Sequence, residues 1–279
     1  MTAYYNEIDP KAAAWLRELI RRNLIAPGDV DERSILDVRP DDLTAYTQCH
    51  FFAGIGVWSY ALRQAGWPDD RPVWTGSCPC QPFSAAGRRA GLADERHLWP
   101  AWFWLIQQRK PCAIFGEQVA SRDGYDWIDA VRDDLEGDGY SVGAVDLCAA
   151  GFGAPHIRQR LYFVADAEGS RCDGRGTSAC GDTFAERNTQ TERGAILAQP
   201  AGLCKADGRA NTERREVNGF WRDADWLRGI DDNWRPVEPG TFPLAHGAPA
   251  RMGRLRGYGN AINAETARHF IAAYMEASS

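Results

Sequence analysis

The sequence predicts an α/β protein built on a doubly wound, mainly parallel sheet. Short stretches rich in strand-forming residues alternate with helical stretches of about ten residues across positions 1–165, as strands joined by crossover helices do. Glycine turns stand where such strands end, as in AGIG at 53–56. The chain has 279 residues, 44% of them apolar and 25% charged, which suffices for a sizeable buried core.

Each element has a local reason. Asp9-Pro10 reads as an N-cap followed by a first-turn proline, opening a helix to about Asn23 with Trp15, Leu16, Leu19 and Ile20 on one face. An extended stretch, Thr47–Phe52, runs into the AGIG turn, and a helix carrying Trp58, Ala61, Leu62 and Ala65 follows, ended by Gly66. Pro72–Ser77 is a strand ending in CPCQPFS. A tryptophan-rich helix spans Leu98 to about Gln108, before a buried strand, Cys112–Phe115, that ends in GEQV. Asp126–Leu135 reads as a helix, Ser141–Leu147 and Arg160–Ala165 as strands, and Ala264–Met275 as a closing helix. Between Asp166 and Gly219 large apolar residues are too sparse for an independent core, so that stretch reads as a loop-rich insert or a partly disordered one.

Composition excludes several classes. No apolar run approaches the roughly 20 residues of a membrane span, and MTAYYNEIDP lacks the apolar stretch of an export signal, so a cytoplasmic protein is expected. Lys+Arg total 32 against 38 Asp+Glu, a net charge of −6, so any nucleic-acid contact must rest on local basic patches. All but Lys11, Lys110 and Lys205 of the basic residues are arginines, which suits phosphate and guanine edges but also follows from GC-rich coding. The eight cysteines, in so long a chain, predict no disulfide framework, and Cys78 and Cys80 are too close in sequence for joint zinc ligation. No metal site is expected.

Four segments carry chemistry. FFAGIG (51–56) presents a strand end, two glycines and a helix start, which can cradle a ligand or merely turn tightly. In SCPCQPFS, Cys80 stands between two prolines just past a strand end, where a thiolate can act as a nucleophile, although a single cysteine is more often simply packed. The polar stretch after it, with Ser84, Arg88, Arg89 and Arg96, reads as a loop able to close on an anionic partner or as an ordinary solvated loop. Glu117, ending an apolar strand, is either an acid with raised proton affinity or a carboxylate capping a helix. Arg158 and Arg160, two residues apart, share one strand face and either grip a base and phosphate or form edge salt bridges.

In order, PCQ, then EQV, then RxR, then GNA, these segments resemble the DNA (cytosine-5)-methyltransferase family, over residues 2–165 and about 250–275. FAGIG resembles its first S-adenosylmethionine motif, PCQPFS its nucleophile motif, FGEQV its ENV motif, HIRQR its QxRxR motif and GYGNAI its last motif. The resemblance implies a Rossmann-like methyltransferase sheet with S-adenosyl-L-methionine as cofactor. Phe52, Ala53, Gly54, Ile55, Gly56, Pro79, Asn260 and Ala261 then belong to the cofactor site.

The family's second- and third-strand cofactor motifs normally fall between FAGIG and PCQ, and here there is no room for them. YYNEIDP resembles the second-strand motif, with Glu7 and Ile8 toward the ribose, and PGDV the third, with Asp29 and Val30 toward adenine. A rearranged motif order is therefore expected; the alternative is that both segments are a plain helix cap and turn.

By this resemblance Cys80 adds to C6 of a flipped-out cytosine, Glu117 meets N3 and the 4-amino group, and Arg160 the O2, with Arg158 beside them. Gln81, Ser84, Arg88, Arg89 and Arg96 would contact nucleic acid. Residues 1–165 with 250–279 form the expected catalytic domain and 166–249 a target-recognition region. The family implies double-stranded DNA as substrate, a cognate restriction endonuclease and a monomer. The same chemistry on tRNA, a silent nucleic-acid-binding relative, and transfer of another one-carbon unit remain alternatives. His50 in place of the family's Asp, His156 in place of its Gln and Gln118 in place of its Asn depart from the pattern.

Overall fold

Capping chemistry sets the first crossover. Asp9 Oδ1 accepts the backbone N–H groups of Lys11 (2.7 Å) and Ala12 (3.1 Å), satisfying two free amides where α1 (Pro10–Arg21) begins. The computed structural model describes residues 2–79, 98–154, 157–167, 225–228, 234–237 and 261–278. In it α1 carries the chain from β1 (Thr2–Asn6) to β2 (Gly28–Asp31). Ala13 and Leu16 are buried, whereas Trp15, expected on the same face, is 45% exposed, because the inward stripe runs through positions 13 and 16.

β3 (Tyr46–Phe51) then enters beside β1. β4 (Val73–Gly76), β5 (Ala113–Val119), β6 (Tyr140–Cys148) and β7 (Gln159–Ala167) complete one seven-stranded sheet in the spatial order β2-β1-β3-β4-β5-β7-β6. The first five strands in that order run parallel, joined through α1, α2 (Val57–Gln64) and α3 (Trp99–Arg109). β7 is antiparallel to both neighbours, because it returns from β6 through a short 3-10 turn at Ala149–Phe152 that leaves no room for a crossover.

α3 and α4 (Arg122–Gly137) cover one face, where Phe51, Trp74, Trp99, Trp102, Trp127 and Phe163 pack together. On the other face α2 and α5 (Ala264–Ala277) cover Phe115 and Tyr162 with Trp58 and Trp67. Two paired glycines let the aromatic layer close: a Cβ on Gly76 would lie 2.5 Å from the Trp102 ring, and one on its register partner Gly116 would lie 2.1 Å from Phe163. Beyond Ala167, the described part of 166–249 is an antiparallel ribbon, β8 (Asp225–Arg228) with β9 (Trp234–Val237). Cys49 and Cys148 carry free thiols, and Cys112 is disulfide-bonded. No helix among the described residues is long and apolar enough to cross a membrane.

The winding fixes where a ligand can sit. The chain leaves β1 toward β2 on one side and β3 toward β4 on the other. The carboxyl ends of β1 and β3 therefore flank the point where winding reverses, the usual binding crevice of open α/β sheets.

Gly116→Ala should cost about 1–3 kcal/mol of stability through overpacking against Phe163, read as a lower midpoint in urea unfolding with an unchanged slope.

Candidate active site

Two neighbouring groups of residues occupy the carboxyl edge of the sheet. The first is the crevice between β1 and β3. Beyond Phe51 the backbone turns through positive φ at Phe52 (+50°), Gly54 (+54°) and Gly56 (+80°). Glycine adopts this region freely, while Phe52 holds it at a cost of about 1–3 kcal/mol. Ala53 N–H donates to the Asn6 carbonyl at 3.0 Å, and Gly54 N–H donates to Glu7 Oε2 at 2.7 Å. Glu7 Oε1 also accepts from Asp9 N–H at 2.9 Å, so the carboxylate is fixed across the crevice. The fold thus brings Glu7 to the AGIG turn from 47 residues away in sequence. Phe52 meets Trp102 edge-on, with ring centroids 6.1 Å apart. Ile8, beside Glu7, is exposed.

Of the two acids in GDVD, Asp31 rather than Asp29 stands at the carboxyl end of β2. The Asp31 carbonyl accepts Glu7 N–H at 3.0 Å, and its carboxylate accepts from Tyr4 Oη and Arg33 Nη2, both at 2.7 Å. Asp29 instead accepts from Tyr46 Oη at 2.9 Å, nearer the other end of the strand, with Val30 half-buried between the two. Sequence reading missed Asp31 because two acids on alternate positions share a face, and only the register with β1 ranks them.

The second group lies at the ends of β4, β5 and β7. Glu117 is 6% exposed on β5, and its Oε1 lies 2.9 Å from Arg160 Nε on β7. Burial pushes the Glu117 carboxyl above its ordinary proton affinity, while Arg160, a hydrogen bond from Ser77 and Arg158 pull it back. Gln118, also buried, donates from Nε2 to the Cys78 carbonyl at 3.0 Å and accepts Val119 N–H at 2.9 Å. It ties β5 to the segment that leads into Pro79 and Cys80. Arg158 donates from Nη2 to the Ala261 carbonyl at 2.5 Å, joining the start of β7 to the segment before α5. Pro79 is exposed. Cys80, Gln81, Ser84, Arg88, Arg89, Arg96, His156 and Asn260 lie outside the described residues. Among the described residues no group of three or more His, Cys, Asp or Glu side chains could hold a metal.

His50, at the end of β3, is buried. Its Nδ1 pairs with Thr75 Oγ1 at 2.8 Å, and its ring stacks on Tyr5 at 4.9 Å. Burial lowers its pKa to about 3, so it is neutral at the crevice end where the resemblance leads one to expect a carboxylate.

Residues 67–195 match the family described as C-5 cytosine-specific DNA methylase. The Type II methyltransferase M.NlaX of Neisseria lactamica is 34% identical over 99 residues, covering 34% of this chain and 32% of that protein. M.NaeI of Lentzea aerocolonigenes is 30% identical over 164 residues, covering 57% of this chain and 33% of that one. The S. pombe Dnmt2 methyltransferase structure aligns at 16% identity with a TM-score of 0.39, covering 61% of this chain and 52% of that one. The chain spans about a third of the length of the curated relatives it matches.

Because native His50 stays neutral down to about pH 3 while the unfolded imidazole takes a proton below about 6.5, the unfolded state binds more protons across that window. Stability attributable to His50 is therefore full above about pH 6.5 and falls as pH drops through the window. Urea titrations from pH 7 to 4 should show a shallower loss of stability in His50→Gln than in the parent protein.

Proposed function

We propose that this protein transfers a methyl group from S-adenosylmethionine to C5 of a cytosine turned out of double-stranded DNA. One observation carries the reading: the buried Glu117 carboxyl, paired with Arg160, lies on the strand next to the one that delivers Cys80, and Gln118 ties the two together. A carboxyl held this way can give or share a proton where a ring nitrogen gains negative charge.

The crevice between β1 and β3 fits the cofactor. Its turn combines positive-φ glycines with a fixed carboxylate, Glu7, suited to ribose hydroxyls. Phe52, Ala53, Gly54, Ile55 and Gly56 would line it with Ile8, Pro79, Asn260 and Ala261, and Asp29, Val30 and the better-placed Asp31 would take the adenine side. When bound, the cofactor supplies an electrophilic methyl group on a sulfonium centre.

The chain's own residues prepare the acceptor. The Cys80 thiolate forms a bond to C6, and the electrons of the C5–C6 double bond become available at C5. Glu117 meets the charge developing at N3, with Arg160 holding Glu117 and reaching toward O2. Once C5 carries the methyl group, loss of its proton restores the double bond and expels Cys80 as thiolate. Arg158 serves this site by anchoring Ala261. Gln81, Ser84, Arg88, Arg89 and Arg96 would close on the DNA, with 166–249 reading the sequence. The target base must leave the duplex, because its ring faces are stacked there.

Strand order supports the rearranged motif order. By position, β2, β1, β3, β4 and β5 take the third, second, first, fourth and fifth places of the 3-2-1-4-5 order usual in doubly wound nucleotide-binding folds. On this reading the N-terminal motifs would take the places that the second and third strands fill in an unrearranged chain. We further infer a monomer working in the cytoplasm beside a cognate restriction endonuclease.

Incubation with tritiated S-adenosylmethionine and either duplex DNA or tRNA tests the reading. Label should appear as 5-methylcytosine in DNA, and Glu117→Gln should reduce the rate by about 10²–10⁴-fold. Label confined to tRNA, or none at all, would contradict it.

A further inference from the structure

The proton affinity of Glu117 depends on what touches its carboxylate, and one neighbour on the β4 side is a hydroxyl with a defined direction. Ser77 follows Gly76, and Gly76 is the register partner of Gly116, so Ser77 and Glu117 are side-by-side neighbours facing the α2 layer. Trp58 of α2 donates from Nε1 to Ser77 Oγ at 3.1 Å. That indole is itself fixed. It is 5% exposed and packs against Phe115 (centroids 6.2 Å apart) and Tyr162 (6.0 Å). An indole N–H can only donate, so it engages a lone pair of Ser77 Oγ and leaves the hydroxyl hydrogen for another acceptor.

We propose that Ser77, oriented by the Trp58 indole, is a positioning residue that donates its hydroxyl hydrogen to the Glu117 carboxylate and fixes the acid opposite Arg160. The inference rests on the role given to Glu117 above and adds how the chain sets that acid. Among the described residues, the ionisable groups facing Glu117 are Arg160, Arg158 and Tyr162, all from the β7 side. Ser77 is the neutral donor from the β4 side. Burial alone drives Glu117 toward the neutral acid, and the Ser77 hydrogen bond opposes that drive without adding charge. Two donors on opposite sides also hold the carboxyl to one rotamer, as a proton transfer to a ring nitrogen requires.

Carbon-13 NMR titration of the Glu117 side-chain carboxyl in the full chain, assigned against Glu117→Gln, reads this directly and needs no turnover. Ser77→Ala should move the Glu117 midpoint to higher pH. Trp58→Phe, which keeps the ring but removes the donor, should move it the same way by less, and Ser77→Thr should restore the parent value. In the methyl-transfer assay Ser77→Ala should lower kcat about tenfold with little change in KM, the loss expected for one hydrogen bond to a charged group. A folded Ser77→Ala protein with an unmoved Glu117 midpoint overturns the inference. A parent protein that titrates as described but transfers no methyl group sinks the proposed function and leaves the Ser77 contact standing.

Discussion

An ionisable carboxyl taken out of water must find partners or give up its charge, and the placement of Glu117 makes that constraint the organising fact of the site. Its partner, Arg160, comes from β7, the strand of the seven-stranded sheet that runs against both its neighbours. An antiparallel β7 sets Tyr162 directly opposite Glu117 and brings Arg160, two residues earlier, within reach of the same carboxylate. The pair therefore depends on the short return from β6 that makes β7 antiparallel. Breaking the pair by removing one partner would leave a buried group uncompensated, which costs more than a surface ion pair could.

The second organising fact is where the winding reverses. Backbone amides of the AGIG turn and the Glu7 carboxylate meet there because β1 and β3 are adjacent and parallel, though one begins the chain and the other follows two crossovers later. The crevice between β1 and β3 and the Glu117 group share the carboxyl edge of the sheet, one beside β3 and the other beyond β4. That separation suits the proposed transfer, in which donor and acceptor would be held by different strand ends and meet between them.

Much of the fold was legible because its signals are local. The Asp9-Pro10 cap, the glycine-ended α2 and the tryptophan-rich α3 follow from side-chain chemistry within a turn or two. Boundaries failed where polar residues sit inside elements. β5 continues through Glu117 and Gln118, which looked like a strand's end because buried polar residues are rare in strands. α4 begins at Arg122, earlier than its apolar pattern predicts, because Ser121 caps it by accepting Gly124 N–H ahead of the first apolar position. Contacts that need register were out of reach: the rank of Asp31 over Asp29, the Gln118 tie to Cys78, and the bond from Trp58 to Ser77 each join segments whose spacing in sequence says nothing of their spacing in the sheet. For the segment around Cys80 the chemistry rests on its sequence alone.

The most direct measurement offers the protein a DNA duplex carrying 5-fluorocytosine in its target site together with S-adenosylmethionine. Fluorine cannot leave C5 as a proton does, so a thiol that has bonded to C6 stays attached. The account predicts a denaturant-resistant protein–DNA complex whose linked peptide contains Cys80 and which Cys80→Ala abolishes. Methylation of the ordinary duplex with no such complex on the fluorinated one would contradict it.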